Sequence, residues 1–270
     1  MATDPRRILT LTSDFGNRDG YVAAMKGTIL TIAPDVRIVD VSHEIAPQDV
    51  MEAAYVLSSV VPHYPPGTVH LAVVDPEVGT DRKCVALEQG GHYYVGPDNG
   101  LFSLLLKSSE PDHIVELDRP QFWRTPEPST TFQGRDIFAS VAAHLAAGRM
   151  LDDLGSTILE IQTMHWAIPI SDDQGIQGWV VHVDGYGNCI TNISRLEFEQ
   201  LQQTRRFKCY VGNAILDHRQ NTYADTAPGE TLVLFNSDDF LEIAINRDNA
   251  SAMLDIKKGT SVNVVFVDDK

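Results

Sequence analysis

The sequence predicts an α/β N-terminal layered domain joined to a small all-β, barrel-like C-terminal domain. Three observations predict it. Up to about residue 147, short apolar runs alternate with segments whose apolar residues recur at helical spacing, the pattern of strand–helix units around a sheet. After Gly148 the alternation stops. From Ile176 onward the runs are short, β-rich and separated by Gly, Asn and Asp, as in a small barrel or sandwich. The expected domains are 1–165 and 166–270.

The elements follow in order. Ile8–Thr12 reads as a strand. Tyr21–Ala33 reads as a helix with Val22, Met25, Ile29 and Ile32 on one face, stopped by Pro34. Val36–Val41 is the next strand. A second helix runs from about Asp49 to Val61, with Val50, Ala54, Leu57 and Val60 at helical spacing. Thr68–Val74 is a continuous apolar strand, the kind buried on both faces. Strands are expected near Cys84–Leu87, His92–Val95 and His113–Leu117, then a helix over about Arg135–Ala147 capped by Gly148. Residues 149–174 read as a connector. The second domain offers strands at Trp179–Val183, Phe207–Val211, Thr231–Phe235, Leu241–Ile245 and Ser261–Val267.

Composition narrows the function classes. The 270 residues are 43% hydrophobic and 21% charged, ordinary for a globular protein that buries a substantial core. Acidic residues outnumber basic ones 37 to 21, a formal charge of −16 that repels nucleic acid and anionic membranes. A small neutral or cationic ligand fits this balance. No leader-like segment and no run of membrane-spanning length is present, so a cytoplasmic location is expected. Cys84, Cys189 and Cys209 form no CxxC pattern and read as buried, inert thiols.

Familiar catalytic signatures are absent: no P-loop, no GxGxxG opening a helix, no HExxH and no GxSxG. The nine histidines lack metal-ligand spacing, so no metal is expected. Carboxylates and amides at turns remain: Asp14 and Asp19, Asp75 and Arg82, Thr131-Phe-Gln-Gly-Arg-Asp136, Asp184-Gly-Tyr-Gly-Asn188 and Phe235-Asn-Ser237. Each has a structural alternative. Asp14 and Asp184 suit turns, and Arg135 with Asp136 suits a helix start. Their recurrence at the ends of apolar runs favours a ligand site, because strand ends are where open α/β sheets bind ligands.

Taken together, Leu11-Thr-Ser-Asp-Phe-Gly16, Asp40-Val-Ser-His43, Val74-Asp-Pro-Glu-Val-Gly-Thr80, Pro97-Asp-Asn-Gly100, Thr131–Asp136 and Asp184–Asn188 resemble the S-adenosylmethionine hydroxide adenosyltransferases, hydrolytic relatives of the fluorinases and chlorinases. The match runs in order over nearly the whole chain. The resemblance implies cleavage of S-adenosylmethionine at ribose C5′ by water or hydroxide, giving adenosine and methionine, with no metal or cofactor. It also implies a homotrimer whose sites lie between subunits. By matching motifs, Asp14 would hold the ribose hydroxyls and Asn188 the adenine edge, with Tyr186 nearby. Asp19, Asp184 and Ser237 would grip the methionine end. Asp75 and Arg82 match two members of an Asp-Arg-His set that activates water.

The third member differs, since Gln133 stands where the family's TFHGRD motif has histidine. Glutamine takes no proton near neutrality but donates and accepts hydrogen bonds, so Gln133 is expected to orient the water. An arginine neighbour makes a carboxylate a poorer base, so Asp75 and Arg82 are likewise expected to orient water or hold hydroxide. His43 is an alternative base or a satisfied structural histidine. Three functions compete: a hydrolase, a halide-using adenosyltransferase, and a non-catalytic protein that binds S-adenosylmethionine or adenosine.

Overall fold

The computed structural model describes residues 8–107 and 109–268. It divides into two compact units, Met1–Thr163 and Met164–Lys270. In the first, β1 (Ile8–Ser13), α1 (Tyr21–Ile32), β2 (Arg37–Ser42), α2 (Val50–Val60) and β3 (Val69–Val73) alternate as the apolar spacing predicts. β4 (Cys84–Gln89), β5 (His92–Pro97) and β6 (His113–Glu116) follow, then α3 (Ala139–Ala146), α4 (Leu151–Leu154) and β7 (Ser156–Thr157). The sheet order is β2-β1-β3-β5-β4-β6-β7. β2, β1, β3 and β5 pair in parallel, whereas β4, β6 and β7 join by antiparallel pairings.

The period-two alternation of β3 explains the layering. Val69, Leu71 and Val73 face a core shared with Met25 and Ile29 of α1 and Val141 and Leu145 of α3. Ala72 and Val74 face the other core, with Ala53 and Leu57 of α2. Each of these larger side chains contributes roughly 1.5–3 kcal/mol on full burial.

Several segments differ from the sequence expectation, two of them in the first unit. The helix expected from Arg135 opens as a π-turn, Gly134–Phe138, and becomes α-helical only at Ala139. The buried Asp136 carboxylate, tied to Ser129 and to two arginines, anchors this wider turn. The expected connector 149–174 contributes α4 and β7. Gly155 permits β7, since a Cβ there would sit 1.7 Å from the Glu116 carbonyl oxygen.

The second unit is barrel-like and antiparallel. It comprises β8 (Ile170–Asp172), β9 (Gly175–Val183), β10 (Cys189–Ser194), α5 (Arg195–Gln202), β11 (Arg206–Val211), β12 (Ala214–Leu216), β13 (Thr231–Phe235), β14 (Phe240–Ile245), α6 (Ala250–Leu254) and β15 (Ser261–Val267). The order is β12-β11-β15-β9-β10-β14-β13, with β8 beside β9. Gln220 N–H donates to the Val233 carbonyl at 2.9 Å, linking the segment after β12 to β13, so the sheet nearly closes. Phe198 centres the core, edge-on to Phe207, Phe235 and Phe266 at 5.1, 5.3 and 5.5 Å. β10 escaped the sequence reading because its interior is polar. Buried Thr191 and Asn192 are satisfied there by the carbonyls of Leu241 and Trp166.

Candidate active site

The carboxyl ends of β1 and β3 lie side by side, because Ser13 and Val73 are paired in parallel register. Asp14 and Asp75 therefore leave the sheet at one edge, where β1 is flanked by β2 and β3 on opposite sides. This is the switch-point position at which open α/β sheets bind ligands. Arg82 reaches the same edge by a different route. β4 is antiparallel to β5, with Cys84 opposite Pro97, so β4 begins where the parallel strands end.

Asp75, Arg82 and Gln133 form one constellation. Arg82 Nε donates to both Asp75 oxygens, at 2.9 and 3.1 Å, and one Nη donates to Asp75 Oδ2 as well. The same Nη donates to Gln133 Oε1 at 2.5 Å. The other Nη donates to the Lys83 carbonyl at 3.1 Å and to Cys84 Sγ at 3.0 Å. The Arg82 side chain is 2% exposed and that of Asp75 5%. Burial is the largest single influence and disfavours the Arg82 charge, but the bonds and charges of Asp75 and Cys84 together outweigh it and raise the guanidinium above its ordinary pKa. The guanidinium also lies 5.2 Å over the Phe138 ring.

Two consequences follow for chemistry. A guanidinium has five N–H donors, and here all five meet protein acceptors. Arg82 only donates, so Gln133 must present its oxygen to Arg82 and keep its Nε2 donors for another acceptor. Among the described residues that Nε2 makes no hydrogen bond. The site thus offers a fixed amide donor and a buried carboxylate acceptor, and the set holds no imidazole.

The surrounding loops fix this arrangement. Asn99, buried in the Pro97-Asp-Asn-Gly100 turn, donates to the Val74 carbonyl at 2.9 Å, directly before Asp75. Asp98 N–H donates to the Lys83 carbonyl at 3.0 Å, directly after Arg82. Gly134 lets the Gln133 turn approach the strand ends, because a Cβ there would lie 3.3 Å from both Phe15 and Val73. Asp136 is held well below the ordinary carboxylate range, first by its bond to Arg135 and, against burial, by Arg124 and Ser129. It anchors the turn.

The other sequence candidates fall into separate groups. Asp14 is half-buried and accepts from Gln48 N–H at 2.8 Å, while Asp19 is exposed. His43 is a satisfied structural histidine: its ring bonds Ser13 Oγ at 2.7 Å and Asp40 Oδ1 at 3.0 Å, and its carbonyl accepts from Gly16 N–H at 2.7 Å. These bonds clamp the chain on both sides of Asp14. In the second unit, Asp184, Tyr186 and Asn188 line a cavity of about 610 Å³ with Tyr223, Arg247 and Asn249. Asp184 is engaged by its own turn, accepting from the Tyr186 and Asn188 N–H groups and from Asn188 Nδ2, each at 2.9 Å. Tyr186 is 83% exposed. Ser237 is exposed and does not line this cavity.

Sequence reasoning missed several neighbours. The sequence reads Cys84 as a buried, inert thiol, yet it is half-buried and touches Arg82. Burial raises its pKa against the pull of Arg82. Cys189 and Cys209 are buried, and burial pushes both up to about 12. Tyr223 was also missed. Its hydroxyl donates at 2.7 Å to Glu242, a carboxyl whose pKa is raised by burial despite that bond. Among the described residues, no three His, Cys, Asp or Glu side chains are grouped to hold a metal.

Known proteins resemble the chain throughout. Residues 9–155 match the family model of the SAM hydroxide adenosyltransferase N-terminal domain, and 178–263 that of its C-terminal domain. A curated (R)-S-adenosyl-L-methionine hydrolase of Methanocaldococcus jannaschii is 35% identical, covering 98% of each chain. One from Salinispora tropica is 37% identical over 96% of this chain and 98% of its own. A fluorinase of Nocardia brasiliensis is 29% identical over 96% of this chain and 97% of its own. An uncharacterized conserved protein of Thermotoga maritima superposes with a TM-score of 0.86 at 35% identity, over 96% of this chain and 99% of the other.

Proposed function

The chain belongs to the SAM hydroxide adenosyltransferase family, and from that membership we propose that it hydrolyses S-adenosyl-L-methionine to adenosine and L-methionine. The observation that carries the reading is the Asp75–Arg82–Gln133 constellation, with its buried ion pair, at the carboxyl edge of β1 and β3. In the reaction a water oxygen forms a bond to ribose C5′ as the C5′–S bond breaks. The electron pair goes to sulfur, the sulfonium becomes a thioether, and one proton is released. A sulfonium is already a good leaving group, so neither metal nor acid assistance is required, and no cofactor is proposed.

The work left to the protein is placement. Gln133 Nε2 would donate a hydrogen bond to the water oxygen while Asp75 accepts a hydrogen bond from the water, aiming a lone pair at C5′. Such positioning supplies several kcal/mol, up to roughly 7–11 in favourable cases. Asp14 would hold the ribose hydroxyls, and Asn188, with Tyr186 beside it, the adenine edge. Asp19, Asp184 and Ser237 would meet the methionine end. Asp184 could do so only by sharing oxygens that already hold its turn. A homotrimer with intersubunit sites and a cytoplasmic location complete the proposal. Among the described residues no helix is long and apolar enough to cross a membrane.

The test is to incubate the purified protein with S-adenosylmethionine, with and without chloride or fluoride, and to identify products by chromatography and mass. Adenosine and methionine, independent of halide and lost in Asp75→Ala, are expected. A 5′-halogenated nucleoside would move the assignment to the halide-using class. Saturable binding without any product would leave a sensor.

A further inference from the structure

A cavity of about 530 Å³ in the first unit runs along α1 and α3 and is bounded by Trp123, Arg124 and Arg135. Among the described residues no acidic one lines it, although the chain carries a net charge of −16. Both guanidiniums lean on one buried carboxylate. Arg124 Nε and Arg135 Nε donate to Asp136 Oδ1 at 2.5 and 2.6 Å, and Arg135 Nη2 donates to Oδ2 at 2.9 Å. Ser129 N–H takes Oδ2 as well, at 2.9 Å. Two positive charges thus share one negative charge whose acceptor positions are largely filled.

The unused donors lie on the arginines. Among the described residues, neither Nη group of Arg124 and not the Nη1 of Arg135 makes a hydrogen bond. Arg135 is further steadied 4.9 Å over the Phe132 ring, so its fork is held in place. Trp123 adds a buried indole Nε1–H without a partner among the described residues. A buried donor of this kind calls for an acceptor. His144, at the same cavity, is kept neutral by burial and by Arg149, so it adds no charge at neutral pH. Gly27 leaves room on α1, since a Cβ there would meet nothing within 4 Å.

We infer that this cavity binds the oxyanion group, phosphoryl or carboxylate, of a small metabolite distinct from the hydrolase substrate, gripped by Arg124 and Arg135. Planar guanidinium forks suit such oxygens in pairs. The site lies behind the turn that carries Gln133, and it does not depend on the reaction proposed above.

The experiment follows the indole ¹H–¹⁵N resonances of the full chain, which has three tryptophans. The Trp123 signal is identified by its loss in Trp123→Phe. Sodium phosphate and sodium acetate are titrated separately against sodium chloride at matched ionic strength. A saturable shift of the Trp123 signal with an oxyanion, and none with chloride, is expected. Arg124→Gln should weaken it by about tenfold or more, while unchanged backbone amide signals of β1 and β3 certify the fold of the first unit. A response to phosphate alone supports a phosphoryl ligand, and a response to acetate a carboxylate. No saturable shift with either anion, or an undiminished one in Arg124→Gln, overturns the inference.

Discussion

Gln133 changes what a pH profile should show. Without an imidazole among Asp75, Arg82 and Gln133, turnover is expected to lack an ionisation in the range where histidine titrates, near pH 6.5. Gln133→His should introduce one, and if a base then limits the rate, kcat rises by up to about 10²–10⁴. Unchanged turnover in that variant would mean that this position does not limit the rate. Asp75 carries a second expectation. Asp75→Ala leaves the 2%-exposed Arg82 without its counter-charge, so urea titration should show a loss of roughly 3–5 kcal/mol alongside lost activity. His43→Ala unclamps the loop on both sides of Asp14. It should raise KM for S-adenosylmethionine about tenfold, one lost charge-linked contact, while kcat stays nearly constant. Equal losses in both would assign His43 a role in the chemical step. Asp75 is legible in the sequence because turn residues break an apolar run there, whereas Arg82 and Gln133 are picked out by the motifs they share with, or depart from, the resembling family. The sequence hid Cys84, which reads as a strand residue, and Asn99, which reads as an ordinary turn.

Glycines govern how closely the segments approach one another. Gly187 has φ +85°, and a Cβ there would come within 2.1 Å of the Asn249 side chain. Asn249 in turn caps α6, accepting from Ala252 N–H at 2.8 Å. Gly187→Ala is therefore expected to combine left-handed strain with a lost cap, about 2 kcal/mol together. Thermal unfolding measures the loss, and a wild-type melting temperature would show that Asn249 moves aside freely. Helical and strand periodicity revealed α1, α2 and β1 to β3, whose apolar residues recur at regular spacing. It failed for β7, only Ser156–Thr157, and for the polar interior of β10. Those strands exist because a neighbour supplies their partners, and single-chain spacing does not record that.

Across the molecule, histidine burial is expected to weaken the fold as the pH falls. Burial and the nearby His92 lower His70 to about 3, and burial lowers His92 as well. His70 is locked to Thr10 Oγ1 at 2.8 Å and to His92 at 3.2 Å. Both rings are thus favoured neutral when folded, while the unfolded chain binds protons below about pH 6.5. Stability should be unaffected above that pH and fall as pH drops from 6.5 toward 3, by up to about 1.4 kcal/mol per pH unit for His70. Urea midpoints from pH 7.5 to 4.5 check this, and His70→Leu should flatten the slope. Two units were readable from the change in pattern after Gly148, but the near-closure of the second sheet through Gln220 and Val233 was not, because it joins segments that share no local signal. The order in which the molecule comes together is written into the constellation too. Asp75 and Arg82 are seven residues apart, whereas Gln133 joins from 51 residues away. Closing the short loop carries little entropic cost, and closing the long one more. During refolding the ion pair should form first and wait for its amide, so binding competence arrives late, with the docking of the π-turn.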